Sequence, residues 1–81
     1  MMAEIIWPQH LVDLVLEMPD RDRELIFQKV ARLEDFPEMY PVRTVGRFRG
    51  HRCFVAGQWL IYYRVVEHKV YLRAIWPARI P

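Results

Sequence analysis

The chain has 81 residues, a length that suits one domain over residues 1–81 with one modest core. Of these residues 53% are hydrophobic and 14% aromatic, a composition typical of a folded domain rather than of a disordered segment. Its one cysteine excludes an internal disulfide, and the absence of an apolar run of about 18 residues or of a signal-peptide pattern predicts a cytoplasmic protein with no membrane partner. The formal net charge of +2 is unevenly divided, because residues 1–42 carry four Lys/Arg and nine Asp/Glu (−5), whereas residues 43–81 carry eight Lys/Arg and one Glu (+7).

The first half of the chain predicts a short strand followed by two helices. The run Ala3–Trp7 is rich in residues that favour strands, and the proline after it suits the first turn of a helix. Apolar residues recur at helical spacing over residues 9–18 and again over residues 21–36. A Pro-Asp pair separates the two helices, and Asp20 is the predicted cap of the second. So short a connection predicts an antiparallel helix pair.

In the second half the hydrophobic pattern changes from helical to alternating, which predicts three strands. Their expected spans are Arg49–Val55, Gln58–Val66 and Lys69–Trp76, joined by two tight turns. Alternate residues of the middle strand face opposite sides of the sheet, and the side that contains Ile61 and Tyr63 is the more apolar. That side is expected to pack on the helices, which gives an α+β fold of order β-α-α-β-β-β with a mainly antiparallel sheet and the helix pair on one face.

The opposite face of this sheet is predicted to be basic and exposed to solvent. The residues expected on it or next to it are Arg47, Arg49, His51, Tyr62, Arg64 and Arg73. Guanidinium groups bind phosphates with a forked geometry, and aromatic rings stack on splayed bases, so the face has the side chains that a single-stranded RNA site needs. Exposed arginines also occur without a ligand, and the basic half could instead neutralise the acidic half or bind an acidic protein.

The stretch GHRCFVAGQWLIYYRV, from Gly50 to Val65, and the later VYLRAIWPAR resemble the C-terminal half of RelE/ParE toxins of bacterial type II toxin–antitoxin systems. The residues that carry the match are Arg52, Phe54, Gly57, Leu60, Ile61, Tyr63, Arg64, Arg73 and Arg79. The upstream stretch EMPDRDRELIFQKVARLEDFP is similar to the family's helix pair. The resemblance therefore covers essentially the whole chain.

The resemblance implies a growth-inhibiting toxin that a cognate antitoxin protein holds inactive. RelE-like members cut mRNA in the ribosomal A site without a metal or cofactor, whereas ParE-like members inhibit DNA gyrase and are not nucleases. The two branches share a fold, so the fold cannot choose between them. The chain departs from many RelE-like toxins at Leu60, where they have an arginine, and at His51 and Cys53, which replace paired lysines; no tyrosine follows the last strand either. These features are closer to ParE-like toxins.

We expect first a RelE-like, ribosome-dependent mRNA endonuclease, with a gyrase inhibitor or a non-toxic nucleic-acid-binding module as alternatives. His51 is the candidate acid–base group because histidine changes charge near neutral pH, and the resemblance gives Arg79 the role of stabilising the phosphate in the transition state. The expected RNA-binding residues are Arg47, Arg49, Arg52, Tyr62, Arg64 and Arg73. Two plainer interpretations stay open: His51 as a solvated strand residue, and Arg52 stacked on an aromatic neighbour.

Overall fold

The computed structural model describes residues 2–78, which form two helices and a four-stranded sheet. The elements are β1 (Glu4–Ile6), α1 (Gln9–Leu16), α2 (Asp20–Ala31) with a 3-10 turn at Arg32–Glu34, β2 (Arg52–Ala56), β3 (Trp59–Val66) and β4 (Lys69–Pro77). The strands lie in the order β1-β4-β3-β2, with β1 parallel to β4 and the other pairs antiparallel. The predicted α+β class, the element order and the mainly antiparallel sheet are confirmed.

Prolines determine where both helices begin. Pro8 and Pro19 occupy the N-cap positions of α1 and α2, with φ angles of −63° and −55°. A fixed φ and a missing N–H are tolerated there because the first helical N–H groups have no partner in the helix. The prediction that Asp20 caps α2 is wrong, since Asp20 is the first helical residue and its carboxylate accepts a hydrogen bond from Arg23.

Among the described residues, no helix has the length and hydrophobicity to cross a membrane.

The core lies between the helix pair and one face of the sheet, which we name the inner face. Ile61 and Tyr63 of β3 are fully buried there, as the alternation predicted. The Tyr63 hydroxyl donates a hydrogen bond of 2.8 Å to the carbonyl oxygen of Pro37, so the polar end of this ring is satisfied. Other members of the core are Leu11, Val15, Ile26, Val30, Leu33, Phe54, Val70, Leu72 and Ile75.

The strand β2 begins three residues later than predicted, at Arg52. The residues before it, 43–51, form a loop that we name the crossing segment. Gly46 and Gly50 have φ angles of 86° and 87°, in the left-handed region that glycine adopts without strain, and so they interrupt the extended chain. The Gly50 N–H donates to the Arg43 carbonyl oxygen at 2.9 Å and helps to close the loop.

The strand β4 contains a bulge opposite β3. Tyr63 pairs with Leu72, but the next pair along the strands joins Tyr62 to Ala74. Arg73 is therefore an extra residue in β4 with no partner in β3. Such bulges redirect side chains relative to a regular strand.

The bulge changes which residues of β4 reach the core. Strict alternation after Leu72 would send Trp76 to the inner face and Ile75 to solvent. Instead, Ile75 is buried in the core, whereas Trp76 is 44% exposed on the opposite face. The extra residue thus keeps a β-branched residue inside and places an indole ring outside.

Candidate functional site

The outer face of the sheet, opposite the helices, is covered by a group of aromatic rings and arginines. Phe48 of the crossing segment stacks on Tyr62 of β3, with ring centroids 4.1 Å apart and an interplanar angle of 18°. Trp76 of β4 meets Phe48 edge-on at 5.5 Å. The guanidinium carbon of Arg43 lies 5.8 Å from the Tyr62 ring centre, and that of Arg47 lies 5.5 Å from a Trp76 ring centre. These five residues form what we name the arginine–aromatic cluster.

The stacking decides which rings solvent can reach. Tyr62 is only 7% exposed because Phe48 lies flat on it. The expectation that Tyr62 presents an open ring to solvent is therefore wrong, since a base cannot stack on that face while Phe48 occupies it. The exposed members of the cluster, which a partner can meet, are Trp76, Arg43 and Arg47.

Cys53 lies on the outer face, where it pairs across the strands with Tyr62. Burial raises the pKa of the Cys53 thiol, and the charge of Arg43 together with hydrogen bonds to Tyr62 and Arg43 only partly opposes this effect. The thiol therefore keeps its proton at neutral pH and is not a base or a nucleophile there. Its role on this face is packing.

His51 ends the crossing segment and touches the cluster. Its ring meets Phe48 edge-on, with centroids 5.6 Å apart and an interplanar angle of 84°. The Nδ1 atom is buried and has no hydrogen-bond partner among the described residues. A substrate therefore does not reach this ring nitrogen.

Arg52 points to the inner face, away from the arginine–aromatic cluster. It pairs with Tyr63 across the strands and so shares the buried side of the sheet. Its guanidinium donates to the carbonyl oxygen of Tyr40 at 2.6 Å and to that of Glu38 at 3.2 Å, and it approaches the Glu38 carboxylate at 3.3 Å. Arg52 therefore ties the segment before the crossing segment to β2.

Replacing Arg52 by alanine is expected to lower the free energy of unfolding by about 2 kcal/mol, because hydrogen bonds from a charged donor contribute about 1.5–3 kcal/mol and the Arg52 side chain is only 19% exposed. Urea denaturation measures the change. Glu38→Ala is the matched control and should change stability by less than about 0.5 kcal/mol, since that carboxylate is 72% exposed. An Arg52→Ala variant as stable as the unmodified chain would show that the guanidinium is free to bind something else.

A second feature of the outer face is a shallow depression of about 260 Å³ lined by Arg64, Val66, Tyr71 and Arg73. Arg64 pairs with Tyr71 across the strands, and Arg73 is the bulge residue. Both arginines are exposed. The ion pairs found within residues 2–78 involve other arginines, so neither guanidinium of the depression has an acidic partner in that part of the chain.

The predicted site residues are thus brought together only in part. Arg47 and Tyr62 belong to the cluster and His51 touches it, whereas Arg64 and Arg73 share the depression. The exposed Arg49 lies in the crossing segment, Arg52 is on the inner face, and Arg79 lies outside the described residues. No group of three His, Cys, Asp or Glu side chains within residues 2–78 is arranged to hold a metal ion.

Three members of the cluster were not predicted from the sequence as site residues: Arg43, Phe48 and Trp76. The signal for Phe48 is its position between two arginines in the stretch GRFRG, because an aromatic residue between basic residues is typical of a binding surface. No local pattern identifies Trp76, since its exposure depends on the bulge.

One comparison with known proteins gives a match. A family model described as "ParE toxin of type II toxin-antitoxin system, parDE" matches residues 9–80. The matched range contains both helices, the strands β2 to β4 and all of the outer-face residues described above. It confirms the relationship to RelE/ParE toxins that the sequence predicted. No curated protein and no solved structure matches the chain.

Proposed function

Because the chain belongs to the ParE toxin family of type II toxin–antitoxin systems, we propose that it stops growth by binding DNA gyrase through the outer face of its sheet. Membership of this family implies an antitoxin partner that holds the toxin inactive. Of the two activities associated with RelE/ParE toxins, gyrase inhibition requires a binding surface alone. Cleavage of mRNA requires, in addition, groups that take and give protons at the scissile phosphate.

The observation that carries this proposal is the arginine–aromatic cluster. Each stacked or edge-on ring pair contributes about 0.5–1.5 kcal/mol beyond burial, and each arginine over a ring about 0.5–1 kcal/mol, so the cluster is ordered before any partner arrives. A surface that is already ordered loses less side-chain entropy on binding. Tryptophan and arginine, which Trp76 and Arg47 expose here, are also the residue types that most often dominate protein–protein affinity.

Cleavage of mRNA on the ribosome is the second candidate, and the observation that favours it is the contact between His51 and the cluster. In this mechanism His51 is the acid–base group and Arg79 stabilises the phosphate, while Arg49, Arg64 and Arg73 hold the RNA backbone. The candidate ranks second because cleavage needs a base and an acid on opposite sides of the phosphate. With the Nδ1 atom of His51 buried and the Cys53 thiol protonated, neither this nitrogen nor the thiol is available for the second of the two tasks.

The two candidates are separated by testing the purified protein in a gyrase supercoiling assay and in an mRNA cleavage assay on ribosomes. We expect inhibition of supercoiling without cleaved mRNA. Arg47→Ala should weaken inhibition by about tenfold or more, the usual effect of truncating a dominant interface arginine.

Arg21→Ala is the matched control, because Arg21 is exposed on α2 and lies on the helical side of the sheet. It should leave the inhibition unchanged. Ribosome-dependent cleavage that disappears in His51→Ala, together with normal supercoiling, would replace the gyrase proposal by the second candidate.

A further inference from the structure

We propose that the depression between Arg64 and Arg73 is a docking site for an acidic side chain of a protein partner, with an apolar residue next to that acid covering Val66. The partner's chemistry is therefore an aspartate or glutamate beside an aliphatic residue. This inference goes beyond the proposed binding of gyrase, which rests on the arginine–aromatic cluster, and it replaces the RNA-backbone role that the second candidate gives to Arg64 and Arg73.

The bulge in β4 is the first argument. Deleting Arg73 would leave the core pairs Tyr63–Leu72 and Ile61–Ile75 in place and make the ladder between β3 and β4 regular. The core therefore does not need the extra residue. What the bulge adds is a second exposed arginine in the depression that already holds Arg64. Bulges that redirect a side chain in this way are concentrated near functional sites.

The second argument is electrostatic. The lining of the depression contains two guanidinium groups and no carboxylate. Two like charges that face the same space each raise the energy of the other, and an anion placed between them is attracted by both. Guanidinium groups also match carboxylate oxygens in geometry, because each can donate two parallel hydrogen bonds. Since both arginines are exposed, this attraction is expected to weaken as salt is added.

The size and the walls of the depression favour a side chain from a larger partner. Pockets that enclose a free small-molecule ligand usually measure about 300–1,000 Å³, and this one is smaller, at about 260 Å³. Val66, which is 47% exposed, and the half-buried Tyr71 give it an apolar wall that suits an aliphatic neighbour of the acid.

Nucleic acid fits the same space less well. Binding of a single strand combines phosphate contacts with open aromatic platforms on which successive bases stack. The nearest ring on β3, Tyr62, is covered by Phe48. Tyr71 lies in the wall of the depression and is half-buried.

The full chain, labelled with 15N so that arginine side-chain N–H signals are seen by NMR, provides the test. The probe is the blocked dipeptide N-acetyl-Leu-Glu-amide, and its matched control is N-acetyl-Leu-Gln-amide. We expect the acidic probe to shift the signals of Arg64 and Arg73 with millimolar affinity, and the neutral probe to shift neither. Arg64→Gln, Arg73→Gln and deletion of Arg73 should each weaken binding by about tenfold or more. Arg21→Gln, on α2, should leave binding unchanged.

Three results would overturn the proposal: no shift with the acidic probe, equal shifts with both probes, or tighter binding of an oligouridylate that the same variants abolish. The last result would identify a nucleic-acid site instead. Thermal melts accompany each variant, and if the deletion does not fold, the two glutamine variants decide the question. Neither gyrase nor ribosomes enter this assay, so its failure is distinct from failure of the proposed function.

Discussion

Replacing Ile61 by alanine is expected to lower the free energy of unfolding by about 3–4 kcal/mol. Ile61 is fully buried on the inner face, where it pairs with Phe54 and Ile75. Truncation removes apolar contacts and leaves a cavity that close-packed neighbours fill only in part. A chain of 81 residues has a total stability of about 4–12 kcal/mol. The substitution therefore removes at least about a quarter of the total stability.

Urea denaturation followed by tryptophan fluorescence measures this loss. Leu60→Ala is the matched control, because Leu60 is the adjacent residue of β3 and is only partly buried on the outer face. Its loss should be about 1 kcal/mol. If the two variants were equally destabilised, the assignment of the inner and outer faces of β3 would be wrong.

Stability is also expected to fall above about pH 10 because of Tyr63. Burial raises the pKa of the Tyr63 hydroxyl to about 12, although the nearby charge of Arg52 opposes the shift. In the unfolded chain the same group has an ordinary pKa of about 10. Between these two values the unfolded chain releases the proton and the folded chain retains it. The contribution of the protonated Tyr63 hydroxyl to the free energy of unfolding is therefore complete below pH 10 and is lost toward pH 12. The free energy of unfolding falls by about 1.4 kcal/mol per pH unit over this range, and by about 3 kcal/mol in all.

Tyr63→Phe tests this pH dependence. The variant also loses the hydrogen bond to Pro37, so we expect it to be less stable than the unmodified chain by about 1 kcal/mol near pH 8. Between about pH 10 and pH 12 it should lose less stability than the unmodified chain, because the ionising group is gone. Parallel loss of stability in both proteins over this range would contradict the assignment to Tyr63.

The sheet and its buried face could be predicted because they depend on a local property of the sequence. Alternation in β3 placed Ile61 and Tyr63 on the buried side, and a side-chain period of two fixes the whole face once one residue is known. The same rule also places Arg52 with Phe54 on the inner face of β2, which separates Arg52 from the arginines of the outer face. The period of β2 alone therefore argues against Arg52 as an RNA-binding residue.

The site could be predicted less completely because it depends on contacts between distant residues. Phe48 covers Tyr62 only after two glycines with positive φ have turned the crossing segment back over the sheet. The exposure of Trp76 follows from a bulge, which is set by the pairing of two strands and leaves no mark in the hydrophobic pattern of either one. The hydrophobic pattern of the sequence also does not distinguish gyrase inhibition from mRNA cleavage, because both activities use the same fold.

The position of β4 has a consequence for synthesis of the protein. This strand lies between β1 and β3, although it is the last of the four to leave the ribosome. The helix pair and the β2–β3 hairpin can form earlier, but β1 then has no partner and β3 has one open edge. Until β4 takes its place, a strand of another chain fits the same gap, so rapid expression is expected to yield strand-exchanged or aggregated chains beside correctly folded ones.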